Sequence, residues 1–181
     1  MKKFTLMVVA LFSFGVMNAQ TASKVAANGS RTAQATHSSV QRNGSPVNPT
    51  AVIFSDNMEG DNSVTGLTTR GYSVYFRSTG GPGSTDTWFQ GNPLVFTAYN
   101  GSDSSFVAAN YNTVTNINDI DNWLVLPVLA VGAGDSLSFW SQAPLASIYA
   151  DSLRIMYNPT GATLPEDANW VELGRMVVNT N

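Results

Sequence analysis

The chain has 181 residues, no cysteine and a formal net charge of −3. Without cysteine it has no disulfide framework, no thiol nucleophile and no lipid-accepting residue behind a leader. Its charge is uneven: residues 51–181 hold all 12 acidic side chains but only Arg70, Arg77, Arg154 and Arg175, a balance of −8 that argues against nucleic acid or an anionic membrane as partner and is compatible with bound cations.

Met1-Lys2-Lys3 is basic, Phe4 to Met17 is almost wholly apolar, and Ala19 is a small residue placed for cleavage. This is the pattern of a secretory signal peptide over residues 1–19. The apolar stretch, about 14 residues, is short of the roughly 20 that span a bilayer. No later stretch is apolar for long enough either, so no membrane insertion is expected after cleavage. The expected location is secreted, extracellular or at the cell surface.

Residues 20–50 are rich in Ser, Thr, Ala, Asn and Gln, with no aromatic and no acidic residue. Such a segment buries too little apolar surface to offset its ordering entropy, and is expected to be a disordered spacer. Lys24, Arg31 and Arg42 are spread too thinly along it for a nucleic-acid-binding arm. The only histidine, His37, lies here. That leaves the folded part without a Ser-His-Asp triad or a histidine-ligated zinc.

From residue 51 short apolar runs alternate with turn signals. Strands are expected at "AVIFS", "GYSVYF", "TWF", "SFVAANY", "WLVLP", "DSLSFW", "DSLRIMY" and "WVELGRMVV". "GGPG", "QGNP", "YNGSD", "VGAGD" and "NPTG" punctuate them. "GGPG" is a turn and not a phosphate loop, because no lysine follows it and no helix is expected behind it. In "SLSFW" Leu137 and Phe139 oppose Ser136 and Ser138. In "SLRIMY" Leu153, Ile155 and Tyr157 oppose Ser152, Arg154 and Met156. This period of two marks half-buried strands, and nothing after the leader keeps helical periodicity for three turns. The expected class is all-β, a sandwich or barrel.

"DNWLVLPVLAVGAGDSLSFW" followed by "YADSLRIMYNPTG" resembles the central signature of the choice-of-anchor J domains, related to the cleaved adhesin domains of gingipains and haemagglutinins. Asp121, Asn122, Trp123, Leu124 and Pro127 match its first element. Leu137, Phe139 and Trp140 match the second, and Asp151, Ser152, Leu153, Thr160 and Gly161 the third. "VIFSDNMEGD" is similar to the family's opening strand, with Met58 where a Phe normally precedes the Glu. The resemblance covers about residues 52–178. It implies a jelly-roll-like antiparallel β-sandwich over residues 51–181 whose closing strands have no counterpart before Asn181.

Asp56, Glu59 and Asp61 end one expected strand, and Asp119 and Asp121 precede another. Carboxylate and carbonyl oxygens are what calcium binds, and the resemblance implies a structural calcium near the first strand, with Glu59 foremost. The alternative reading is that these acids serve turns. Asp119/Asp121 and Glu166/Asp167 are nominal carboxylate pairs for glycoside hydrolysis, but neighbours on a strand face opposite ways, and no catalysis is expected. Trp88, Tyr99 and Tyr111 stand in loop contexts as candidate ligand platforms. Trp123, Trp140 and Trp170 are expected in the core. Together these features point to a secreted, non-catalytic adhesion or ligand-binding module for a glycan or an extracellular protein. An accessory domain of a larger secreted peptidase or glycosidase is the other reading.

Overall fold

Val125 and Leu124 are neighbours on one strand, and both are buried. Their side chains must point to opposite faces, so the sheet that holds them is covered on both sides. The computed structural model that shows this describes residues 52–116, 118–131, 135–144 and 151–178, and the backbone alone of residues 4–9, 24–25 and 33–39.

In chain order the described residues form β1 (Phe4–Val9), β2 (Lys24–Val25), β3 (Ala33–Ser39), the helix α1 (Val64–Thr69), β4 (Ser73–Phe76), β5 (Phe89–Gln90), β6 (Val107–Ala108), the 3-10 turn η1 (Tyr111–Thr113), β7 (Ile120–Val125), β8 (Ser138–Pro144), β9 (Asp151–Tyr157) and β10 (Val171–Val178). Three sheets result, with strand orders β10-β9-β1-β7-β4, β2-β3-β8 and β5-β6. The protein is mostly strand with very little helix, as the alternating pattern indicates. The large sheet is mixed rather than antiparallel, because β1 runs parallel to both β7 and β9.

β7 organises the interior. Leu124 and, just beyond the strand, Leu126 pack with Leu67, Tyr72 and Trp88. Trp123 and Val125 turn the other way onto Met156, beside Tyr75 and Trp170. The Trp123 and Trp170 rings meet at 5.4 Å. Ile120 joins Val114 at the strand's start. A strand buried on both faces needs a continuous apolar run, and "WLVL" supplies one. Each such side chain contributes about 1.5–3 kcal/mol by burial.

α1 lasts barely more than a turn and is closed at both ends. Ser63 Oγ accepts the Gly66 N–H, which caps the start. At the other end Tyr72 N donates to Leu67 O and Gly71 N to Thr68 O, with Gly71 at φ +89°. That left-handed position is one glycine takes without strain. The helix exists to bury Leu67, which is fully enclosed. Gly174 marks an irregularity in β10, where the register with β9 shifts between Glu172 and Gly174.

One expected strand is corrected. "AVIFS" is not a strand over its described residues: Val52 and Ile53 are 80% and 48% exposed, and Phe54 packs instead edge-on to Tyr72 at 6.1 Å. Within residues 20–50, β2 pairs with β3 and β3 with β8, where His37 lies in register with Trp140. A ladder is made by main-chain groups, so a polar Thr/Ser-rich segment can pair wherever an edge such as β8 offers partners. β1 falls within residues 1–19. The rest of residues 1–50 lies outside the described residues.

Candidate functional site

The acidic loop after residue 55 closes around a guanidinium. Asp56 Oδ1 accepts the Met58 N–H at 2.8 Å. Its Oδ2 takes Arg70 Nε at 2.9 Å and the Tyr72 hydroxyl at 3.0 Å. Arg70 Nη1 donates to the Asp61 carbonyl oxygen and Nη2 to Asn62 Oδ1. The guanidinium also lies 5.8 Å from the centre of the Tyr72 ring. A carboxylate, a main-chain carbonyl and a side-chain amide are the oxygens a calcium would collect. Here they converge on Arg70. Burial alone would raise the Asp56 carboxyl, but the Met58, Arg70 and Tyr72 donors outweigh it and hold it below the ordinary range. Burial, followed by the adjacent carboxylate, pushes the Tyr72 phenol up.

Asn62 ties this loop together and is fully buried. Its side chain donates to Met58 O at 2.7 Å, and its main-chain N–H donates to Gln90 Oε1 at 2.8 Å. Glu59 points to a different loop: its Oε1 accepts Ser102 N at 3.0 Å and its Oε2 accepts Ser102 Oγ at 3.2 Å. Gly101, at φ +83°, leaves room for it, since a Cβ there would sit 2.0 Å from Glu59 Oε1. Asp61 Oδ1 caps Ser63 N, and that hydrogen bond lowers its carboxyl.

Asp119 and Asp121 lie elsewhere, where β7 continues its ladder past Phe76. Asp119 N donates to Thr79 Oγ1, and its carbonyl accepts Thr79 N. Asp121 N donates to Ser78 Oγ, and its carbonyl accepts Arg77 N. Their main chains bind the incoming segment, while burial holds the Asp121 carboxyl above its ordinary range. Among the described residues no three of His, Asp or Glu converge as metal ligands. The expected calcium set, Asp56, Glu59, Asp61, Asp119 and Asp121, is thus parted between an arginine, a serine loop, a helix cap and a strand extension. These residues as placed do not fit a calcium.

A shallow depression opens elsewhere on the surface. An open cleft of about 550 Å³ is lined by Phe76 and Phe89 together with Pro82, Gly83, Ser84, Thr85, Asp86, Thr87 and Thr113. The "GGPG" turn is held against η1: Gly83 N donates to Thr113 O at 2.8 Å, and Thr85 N to Asn112 O at 3.2 Å. Thr85 Oγ1 donates to Asn110 Oδ1 at 3.1 Å. Gly83 is required by this closeness, because a Cβ would meet Asn112 O at 2.0 Å. From below, the fully buried Asn122 donates to Thr87 O and Thr113 Oγ1 and accepts Ser78 Oγ. One side chain on β7 thereby fixes two walls of the cleft. Asp86 and Ser84 are exposed on its rim, and both phenylalanines are half-buried.

The expected aromatic platforms lie apart from this cleft. Trp88 is a correction: at 3% exposure it belongs to the core beneath α1, since its neighbours Thr87 and Phe89 take the outward positions. Tyr99 is 43% exposed and stacks on Trp140, with ring centres 3.4 Å apart. Tyr111 is 56% exposed on η1. Of the nominal carboxylate pairs, Glu166 is bound to Arg77, and Asp167 accepts from Asn158 and Asn169.

Comparison with protein-family models, with curated proteins and with solved structures finds no match for this chain.

Proposed function

We propose that the chain is an exported, non-catalytic β-module that binds glycan through the Phe76–Phe89 cleft. The cleft carries this reading. Two aromatic side chains line it for contact with the C–H side of a sugar ring, and Ser84, Thr85, Asp86 and Thr87 supply acceptors and hydroxyls for its polar edge. One carboxylate lines it, where acid–base hydrolysis of a glycoside uses two. We read the three sheets as parts of one jelly-roll-like sandwich of the choice-of-anchor J kind, on the order of the Asp121–Pro127, Leu137–Trp140 and Asp151–Gly161 elements. In this reading Arg70 supplies the positive charge of the acidic loop, and the module needs no calcium there.

The test is a screen of immobilised glycans, followed by titration of any hit with wild type, Phe89→Ala and Asp86→Asn. Asp86 is exposed, so Asp86→Asn leaves folding intact while removing a charged acceptor. Binding weakened about tenfold or more in both variants supports the cleft. Equal binding by all three moves the site elsewhere.

A further inference from the structure

In the five-stranded sheet β1 is the only strand between β7 and β9. Phe4–Val9 pairs with Ile120–Val125 on one side over six successive positions, and with residues 151–156 on the other. β7 keeps only β4 as a second neighbour, and β9 only β10. Lifting out Phe4–Val9 therefore cuts the sheet into two hairpin-like pairs facing one another across the width of one strand. Each wall would present a row of unpaired main-chain N–H and C=O groups. These rows stand among the best-buried side chains of the fold, including Ile120, Val125, Leu153 and Ile155 at 0–4% exposure. Such an opening cannot stay empty in water without inviting another strand.

The same six residues lie within the stretch whose composition marks it as a leader cut after Ala19. Processing removes the strand that completes the sheet. We propose that the space between β7 and β9 is a strand-accepting slot that, after leader removal, takes an extended apolar segment of a partner polypeptide. This rests on the export reading given above. The seated segment defines the occupant: six residues, parallel to both walls, uncharged, without Gly or Pro, and of the apolar, partly β-branched character of "FTLMVV". Main-chain hydrogen bonds to both walls supply affinity, and the alternating side chains supply selectivity, as in other cases of strand addition.

The test uses the full chain with a specific protease site placed after Ala19, folded before it is cut and then dialysed. Fluorescent peptide of residues 2–10 is added, alongside the same peptide carrying Leu6→Pro and Val8→Pro, which keeps apolar character but loses two N–H donors. One-to-one uptake of the first peptide, with the proline peptide at least about tenfold weaker, supports the slot. Failure to take up the peptide after the cut fragment has left overturns it. So does equal binding of the proline peptide, or closure of the opening by a second copy seen as a dimer. N-terminal sequencing of protein recovered outside expressing cells judges export separately. A first residue of Gln20 supports processing, whereas an intact Met1 overturns the export reading and the need for a partner, leaving the slot to be judged by the peptide alone.

Discussion

Arg70 is where the chemistry of single residues matters most. Its side chain and that of Asp56 are 27% and 11% exposed, so the pair is shielded enough to count without being sealed from water. Arg70→Met would leave Asp56 Oδ2, Asn62 Oδ1 and the Asp61 carbonyl without their shared donor. The expected loss is about 1–3 kcal/mol, read from denaturant midpoints. If the guanidinium is the loop's cation, the melting temperature of wild type is unchanged between millimolar calcium and excess chelator. An upward shift of several degrees with calcium would contradict this. Two carboxyls give opposite pH signatures. Asp56 lies below its ordinary value in the fold, so its contribution is whole above about pH 3.9 and is lost as pH falls below that. Asp121 is raised by burial, so its charge opposes folding, and this penalty grows as pH rises past about 3.9. Asp121→Asn should therefore raise stability at pH 7, with the gain vanishing in acid. Melts of the variant and wild type from pH 3 to 7 check both the sign and the window.

At the scale of elements the fold was most legible where packing is two-sided or strictly alternating. "WLVL" announces β7, and Ser136 to Phe139 alternate in exposure as their pattern requires. β9 does so through Ile155, but Met156 is also buried, against Trp123, because a second layer covers that face. Local pattern carries no information about which distant segment lies opposite, so such exceptions are invisible beforehand. For the same reason the partners of Asn122, which are Ser78, Thr87 and Thr113, could not be read from its place beside Asp121. A polar residue inside an apolar strand was the available sign that something long-range is tied there. The cleft was not legible, because it is made by the "GGPG" turn meeting η1 across some thirty positions of chain. Asn122→Ala should cost about 1–3 kcal/mol by leaving those buried groups unpaired, and should weaken ligand binding by loosening both walls. Gly83→Ala should be comparably harmful, as its methyl would overlap the Asn112 carbonyl. Chemical denaturation of each variant measures this, and a wild-type midpoint for Gly83→Ala would refute the close contact.

At the scale of the molecule, the four arginines of residues 51–181 are all committed: Arg70 to Asp56, Arg77 to Glu166, and Arg154 and Arg175 both to Glu172. The three more exposed pairs, those of Arg77, Arg154 and Arg175, are worth little singly. Their placement nevertheless leaves Asp86 on the cleft rim outside every ion pair found among the described residues, where a neutral, hydroxyl-rich ligand can use it. An acidic surface with aromatic and hydroxyl-bearing relief suits sugars better than phosphates or nucleic acids. The most direct test is titration of the folded chain against a glycan panel, with Asp86→Asn and Phe89→Ala as paired controls and circular dichroism confirming that each is folded. Saturable binding to at least one glycan is expected, reduced about tenfold or more by each substitution. Binding unaffected by both substitutions, or no binding by a folded wild type to any glycan, would contradict it.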